Sequence, residues 1–176
     1  MTATEVFESI TNGGSSDFAL LVQILALHVP WCLIGGLAVN CYVEPAYTLD
    51  AVIVVVSGQL KSIERELLAA GFTLESFEHS LNAKMQGSDM RIQFTLDSRY
   101  QSFLNNAEVG NVLGQRVPIA ALADVVQGKI WAWQDLRRRP SKRKKDELDL
   151  MRILEAYPEM RESMPDEIRR QVPENS

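Results

Sequence analysis

Trp31-Cys32-Leu33-Ile34-Gly35-Gly36-Leu37-Ala38-Val39-Asn40, followed by Pro45-Ala46-Tyr47-Thr48-Leu49-Asp50-Ala51-Val52-Ile53-Val54-Val55-Val56, is the segment around which the chain is organised. It predicts a short buried strand, a Gly-Gly turn, a helix, a loop, and a second buried strand that opens with an aspartate. Glycines opening a helix free backbone N–H groups to meet a phosphate, because the first turn has unpaired donors and a partial positive charge. The same pair equally allows a tight turn with close helix–strand packing. An aspartate at the mouth of the neighbouring strand suits the metal ion that accompanies a bound phosphate. Val52 argues against that metal reading.

The remaining numbers bound the class of protein. With 176 residues, 46% of them hydrophobic, the chain predicts a single domain over residues 1–176, its core over about 17–119 and a helical part over about 120–173. A formal charge of -5 makes general attraction to nucleic acid or anionic membrane a poor expectation, so any such binding has to come from a local patch. Cys32 and Cys41 form no CxxC pair and lie in apolar context, which predicts reduced core thiols in a cytoplasmic protein. Met1-Thr2-Ala3-Thr4-Glu5 has neither a basic nor an apolar leader character, and the apolar runs around 18–29 and 52–56 are too short or interrupted to span a bilayer.

Outward from the opening stretch, Thr4 to Ile10 predicts a short helix, and Ser15 or Ser16 a cap for a helix from Asp17 to about Val29. Strands are expected over Trp31–Ile34 and Leu49–Val56, with a helix from Gly36 to about Tyr42 between them. Gly58 to Ala70 is amphipathic, with Leu60, Ile63, Leu67 and Leu68 inward. After Gly71 the period shortens to two: Phe72–Phe77, Leu81–Met85 and Asp89–Asp97 read as strands. In the last of these Met90, Ile92, Phe94 and Leu96 share one face, and Asp89, Arg91, Gln93, Thr95 and Asp97 the other. That polar face either lines a site or meets water at a sheet edge. A short helix over Arg99–Ala107 and a β-like excursion over Val109–Ile119 precede a helix from Ala120 to about Leu136, which carries Lys129, Trp131 and Trp133. Ser141 is expected to cap a helix over Lys142–Ala156, and Asp166–Val172 closes the order. The pattern predicts a mixed-sheet α/β domain with a C-terminal helical extension.

At this point the residues carry a resemblance. Leu33-Ile34-Gly35-Gly36-Leu37-Ala38-Val39-Asn40, then Pro45-x-x-Thr48-x-Asp50, then Lys129 and Lys145-Asp146-x-x-Asp149 resemble the nucleotidyltransferase superfamily of the DNA polymerase beta type. Within it they look most like small bacterial members related to abortive-infection toxins and minimal nucleotidyltransferases. The resemblance implies an α/β (α+β) fold, a nucleotidyltransferase-like mixed sheet flanked by helices. It also implies that Gly35, Gly36 and Thr48 face a nucleoside triphosphate and that Asp50 begins the family's Asp-x-Asp metal motif. The implied chemistry is attack of an RNA or protein hydroxyl on the α-phosphate with loss of pyrophosphate, under two Mg²⁺ ions that clamp the attacking and leaving oxygens.

The sequence departs from that pattern at three positions. Val52 replaces the second aspartate, and a valine cannot ligate a metal. Ala46 stands where a polar residue often precedes the threonine. The third carboxylate falls on Asp89, Gln93 or Asp97, and the match by register is Gln93. Asp50 is therefore the one acid that matches, expected to serve as catalytic group and metal ligand.

Lys129 and Lys145 are expected to neutralise phosphate charge, with Asp89, Arg91, Gln93, Asp146 and Asp149 as further residues on the site's faces. Lys129 also reads as a side chain snorkelling from its helix, and Lys145–Asp149 as an intrahelical pair. Arg137 to Lys145 holds seven of the eighteen basic residues, a solvated run or a ridge that seats RNA. Two functions stand side by side: a Mg²⁺-dependent nucleotide-binding transferase, and an inactive homologue kept as a binding or regulatory module in a toxin–antitoxin or defence setting.

Overall fold

A computed structural model describes residues 3–174. Among them, seven strands form one mixed sheet in the order β3-β4-β5-β2-β1-β7-β6. β1 (Trp31–Ile34) is central and buried at every position, as four apolar residues between Pro30 and Gly35 require. It pairs antiparallel with β2 (Asp50–Val55), Ile34 facing Val52, and parallel with β7 (Gln115–Ile119). β2 runs parallel to β5 (Arg91–Thr95) in a register that sets Asp50 against Arg91 and Val52 against Gln93. β3 (Phe72–Ser76), β4 (Ser80–Met85) and β6 (Glu108–Val112) extend the two sides as antiparallel hairpin partners.

These directions bring the end of β1 and the beginnings of β2 and β5 to one edge of the sheet. α3 (Gly35–Val39) leaves β1 there, and α5 (Leu122–Gln134) and α6 (Pro140–Ala156) pack on each other and on α3. Elsewhere α2 (Gly14–Leu25) meets α4 (Leu60–Ala69) and β7, and α4 also meets β3. α1 (Ala3–Thr11) rests on α2, and a short α7 (Asp166–Gln171) follows a 3-10 turn over Pro158–Ser163. No strand follows Ile119 among the described residues, so the C-terminal extension is helical as expected.

The core joins Phe18, Leu21 and Leu25 of α2, Ile63 and Leu67 of α4, and the apolar strand residues Leu33, Ile53, Ile92 and Phe94. Burying each such side chain contributes roughly 1.5–3 kcal/mol. Leu68 departs from expectation: it is 56% exposed, because Ile63 and Leu67 already fill the narrow inward stripe of α4. Leu96 is 44% exposed, since β5 ends at Thr95 and the alternation lapses there. Cys32 is buried, whereas Cys41 lies exposed just past α3 and donates to Leu37 O at 3.3 Å; both thiols are free.

Helix starts also differ from the sequence reading. α2 begins at Gly14, and neither Ser15 nor Ser16 is its cap. Instead the Glu8 carboxylate of α1 accepts the backbone N–H of Ser15 at 2.7 Å and of Ser16 at 3.1 Å, and both hydroxyls. α6 begins with Pro140 rather than with a Ser141 cap, a proline being preorganised for the first helical position.

Candidate active site

The site begins at the β1–α3 junction. Gly35 has φ +73°, a left-handed conformation that disfavours side chains, and a Cβ there would stand 3.0 Å from Val52 Cγ2. A Cβ on Gly36 would meet Thr48 Oγ1 at 3.2 Å. The pair thus lets the chain pass close beneath β2 and the 45–48 loop. α3 spans five residues rather than continuing to Tyr42, so its dipole is small. Attraction for an anion has to come from side chains.

Asp50 stands at the centre of those side chains. Its backbone N–H donates to the buried Thr48 Oγ1 at 3.3 Å. Oδ1 accepts from Arg91 Nε at 2.6 Å across the β2–β5 register, and Oδ2 from Lys142 Nζ of α6 at 2.7 Å. Burial pushes the Asp50 carboxyl up, and Lys142 and Arg91 together outweigh it, so the group titrates below the usual carboxylate range. Lys145, one turn after Lys142, donates to Tyr47 O at 2.9 Å. Desolvation, then the neighbouring Lys142 charge, lower its pKa.

Behind this corner lies a buried charge cluster. Lys129 Nζ of α5 donates to Asp146 Oδ1 at 2.9 Å and lies 2.8 Å from Asp149 Oδ2, an ion pair without a well-directed hydrogen bond. Arg138 Nε donates to Asp146 Oδ2 at 2.7 Å, and Arg152 donates to Asp149 Oδ1 at 2.8 Å and to Glu44 O. The expected Lys145–Asp149 pair is therefore replaced: Asp149 is taken by Lys129 and Arg152, and Lys145 reaches the 45–48 loop.

A cleft of about 290 Å³ opens between the sheet and α5–α6. Val52, Arg91, Gln93 and Thr95 line its floor and Gly128, Lys129 and Ala132 its roof, with Tyr100 and Phe103 at one side. Those two rings belong to a cluster with Trp131, stacked on Phe103 at 5.7 Å and carrying Arg99 over its face at 4.7 Å. A smaller recess of about 50 Å³ adjoins at Gly35, Gly36 and Thr48. It gathers four cations, Lys129, Arg138, Lys142 and Lys145, against two carboxylates, Asp50 and Asp146, a net positive chamber in an acidic protein.

The structure thus brings Gly35, Gly36, Thr48, Asp50, Arg91, Gln93, Lys129, Lys145 and Asp146 to one place, with Asp149 just behind them. Asp89 lies outside it: its carboxylate accepts from Asn12 and its N–H donates to Thr11 O. Asp97 also lies outside and holds Arg99. Sequence reasoning passed over Arg138 and Lys142 as site residues. For Lys142 the signal was spacing, one helical turn before Asp146 on α6, but nothing local names Asp50 as its partner; Arg138, ahead of α6, left no such signal.

The pair of Mg²⁺ ions expected from the resemblance does not fit these residues. Mg²⁺ takes hard oxygen ligands in an octahedron. Here both Asp50 oxygens are held by cations, Val52 offers none, and Gln93 is a neutral amide. Among the described residues no group of three or more His, Cys, Asp or Glu is placed to hold a metal ion. None of their helices is long and apolar enough to cross a membrane.

No family model and no curated protein matches the chain. Solved structures do. ANT(2'')-Ia in complex with adenylyl-2''-tobramycin is 12% identical, with 90% of this chain and 98% of that chain covered and a TM-score of 0.60. The lincosamide antibiotic adenylyltransferase LnuA, lincomycin-bound, is 13% identical over 77% of this chain and 94% of its own, at a TM-score of 0.54. An antigenic nucleotidyltransferase-like protein from Paracoccidioides brasiliensis is 17% identical over 78% and 72%, at 0.54. Similarity at these identities is similarity of fold: the chain carries the nucleotidyltransferase fold, a mixed sheet flanked by helices with a helical C-terminal part.

Proposed function

We propose that the chain binds a nucleoside triphosphate in the cleft and acts as a binding module rather than as a two-metal transferase. The observation that carries this is the net positive recess at Gly35-Gly36, where Arg138, Lys142 and Lys145 converge within reach of a small anion. Arg and Lys are the usual polyphosphate partners, and a concave site with a few convergent polar groups is the common form of a small-molecule site. The phosphates would lie on the glycine turn and the cations, and the nucleoside would extend into the larger cleft. Asp50, clamped by Arg91 and Lys142 and followed by Val52, has no second carboxylate with which to activate an attacking hydroxyl, and this supports the module over nucleotidyl transfer.

RNA as partner has less support. The Arg137–Lys145 run does not form one ridge: Arg138, Lys142 and Lys145 turn into the cleft, Arg143 donates to Trp133 O, and Lys144 pairs with Glu147.

Calorimetric titration with ATP, GTP, CTP and UTP, each in EDTA and again in MgCl2, tests the reading. Binding of at least one nucleotide in either condition is expected. At a ligand concentration of about 100 Kd the fold gains about 2.7 kcal/mol, which for a domain of this size raises Tm by roughly 5–11 °C. No binding in either condition overturns the nucleotide reading, and release of pyrophosphate on incubation overturns the module.

A further inference from the structure

We infer that Lys142, with Arg91 beside it, takes the place of a divalent cation at Asp50, so that the site holds polyphosphate free of metal. This rests on the nucleotide reading above and goes beyond it by naming the ionic form of the ligand.

The geometry is that of an ion already in position. The Lys142 ammonium lies 2.7 Å from Asp50 Oδ2 and the Arg91 Nε 2.6 Å from Oδ1, one from α6 and one from β5, so the carboxylate is capped from two independent elements. An ammonium has three N–H donors. Among the described residues that of Lys142 makes one hydrogen bond, to Asp50, and two donors remain for the recess it shares with Gly35, Gly36 and Thr48. A bridging metal would have the same two neighbours, a carboxylate on one side and phosphate oxygens on the other. The lysine supplies that bridge as a charge held in place by its bond to Asp50 and by the docking of α6.

A divalent cation arriving with the nucleotide meets the opposite situation. To reach Asp50 it has to displace two cationic groups from their hydrogen bonds and then remain beside them, with Arg138 and Lys145 also in the recess. It finds one carboxylate on these two strands, because Val52 and Gln93 occupy the neighbouring positions, and the recess's other acid, Asp146, is already held by Lys129 and Arg138. Charge repulsion and the missing ligands both act against the metal complex of the nucleotide. Metal-free polyphosphate is thus the species that matches the chamber.

The test is the titration of the intact protein with ATP and with inorganic triphosphate, in EDTA and in MgCl2 at equal ionic strength, so that screening is the same in both. Affinity in EDTA is expected to equal or exceed that in MgCl2. Lys142→Met is expected to weaken binding in EDTA by at least about tenfold, the scale of a lost charged hydrogen bond. Asp50→Asn supplies the opposite sign. A metal ligand, once removed, abolishes binding, whereas a counterion, once removed, leaves Lys142 and Arg91 with more charge for the phosphate, so affinity is retained or tightened. Circular dichroism and the unfolding midpoint verify each variant. Should Lys142→Met not fold, the wild-type metal comparison and Asp50→Asn still decide. Binding that requires Mg²⁺, or its loss in Asp50→Asn, overturns the inference and leaves the nucleotide reading intact; absence of binding in both conditions overturns that reading itself.

Discussion

Lys129→Met removes the ammonium from the buried cluster between α5 and α6 while keeping most of the aliphatic stem, so the change is electrostatic more than volumetric. The Lys129 side chain is 9% exposed, and those of Asp146 and Asp149 are 2% and 4% exposed. Removing one partner of a buried ion pair costs about 3–5 kcal/mol, because the other charge remains in low dielectric. Two carboxylates are left here, but each keeps an arginine, Arg138 on Asp146 and Arg152 on Asp149. That places the loss near the lower end, about 3 kcal/mol, or roughly 6–12 °C in Tm. Urea unfolding followed by tryptophan fluorescence and by circular dichroism measures it, coincident transitions licensing the free energies. A loss under about 1 kcal/mol in the single variant would refute the view of Lys129 as the counterion that joins these helices.

Three further outcomes follow from geometry described above. Gly35→Ala places a side chain at φ +73° and at 3.0 Å from Val52 Cγ2, and should cost about 2 kcal/mol in urea unfolding; adding Val52→Ala should relieve only the closer contact, since the Cβ of residue 52 stays at 3.2 Å, and should leave the backbone strain. Asp50 has a folded pKa depressed below its unfolded value of about 3.9, so its stabilisation is complete above that value and is lost as pH falls through the folded pKa. The stability gap between wild type and Asp50→Asn should therefore be widest at neutral pH and close below about pH 4, and a gap constant through the acid range refutes the clamp. Glu8→Ala removes the acceptor for the first N–H groups of α2 and should destabilise by about 1 kcal/mol, with faster hydrogen exchange at Ser15 and Ser16 as the local readout.

Much of the sheet was legible because its signals are local. Trp31–Ile34 is apolar at every position between a proline and a glycine, and the β-branched run to Val55 cannot be anything but a covered strand. Helix starts were less legible, because a serine at the right position is a cap only if no better acceptor is near. Glu8 reaches Ser15 and Ser16 from a different helix. At the candidate site, the spacing of the glycines and Asp50 pointed to residues that the fold does bring together, and the register sets Val52 opposite Gln93. The partners of Asp50 were not legible. Arg91 meets it through the β2–β5 register and Lys142 through the docking of α6, and neither relation leaves a periodicity in the chain. The same long-range docking turned Lys145 away from Asp149, four residues on, and toward Tyr47 O.

Three bonds from α6 land on one short stretch: Lys142 on Asp50, Lys145 on Tyr47 O and Arg152 on Glu44 O, across 92, 98 and 108 residues of chain. Closing loops of that length is entropically costly and is compensated only when both ends are ordered. In kinetic terms α6 is a latch over residues 44–50, and any species in which it has lifted no longer has the recess at Gly35 and Gly36. On the proposed function, ligand residence time reports the lifting of the latch, and the amides of 44 and 46–50 should exchange with solvent in step with those of the first turns of α6, both slowed together by nucleotide.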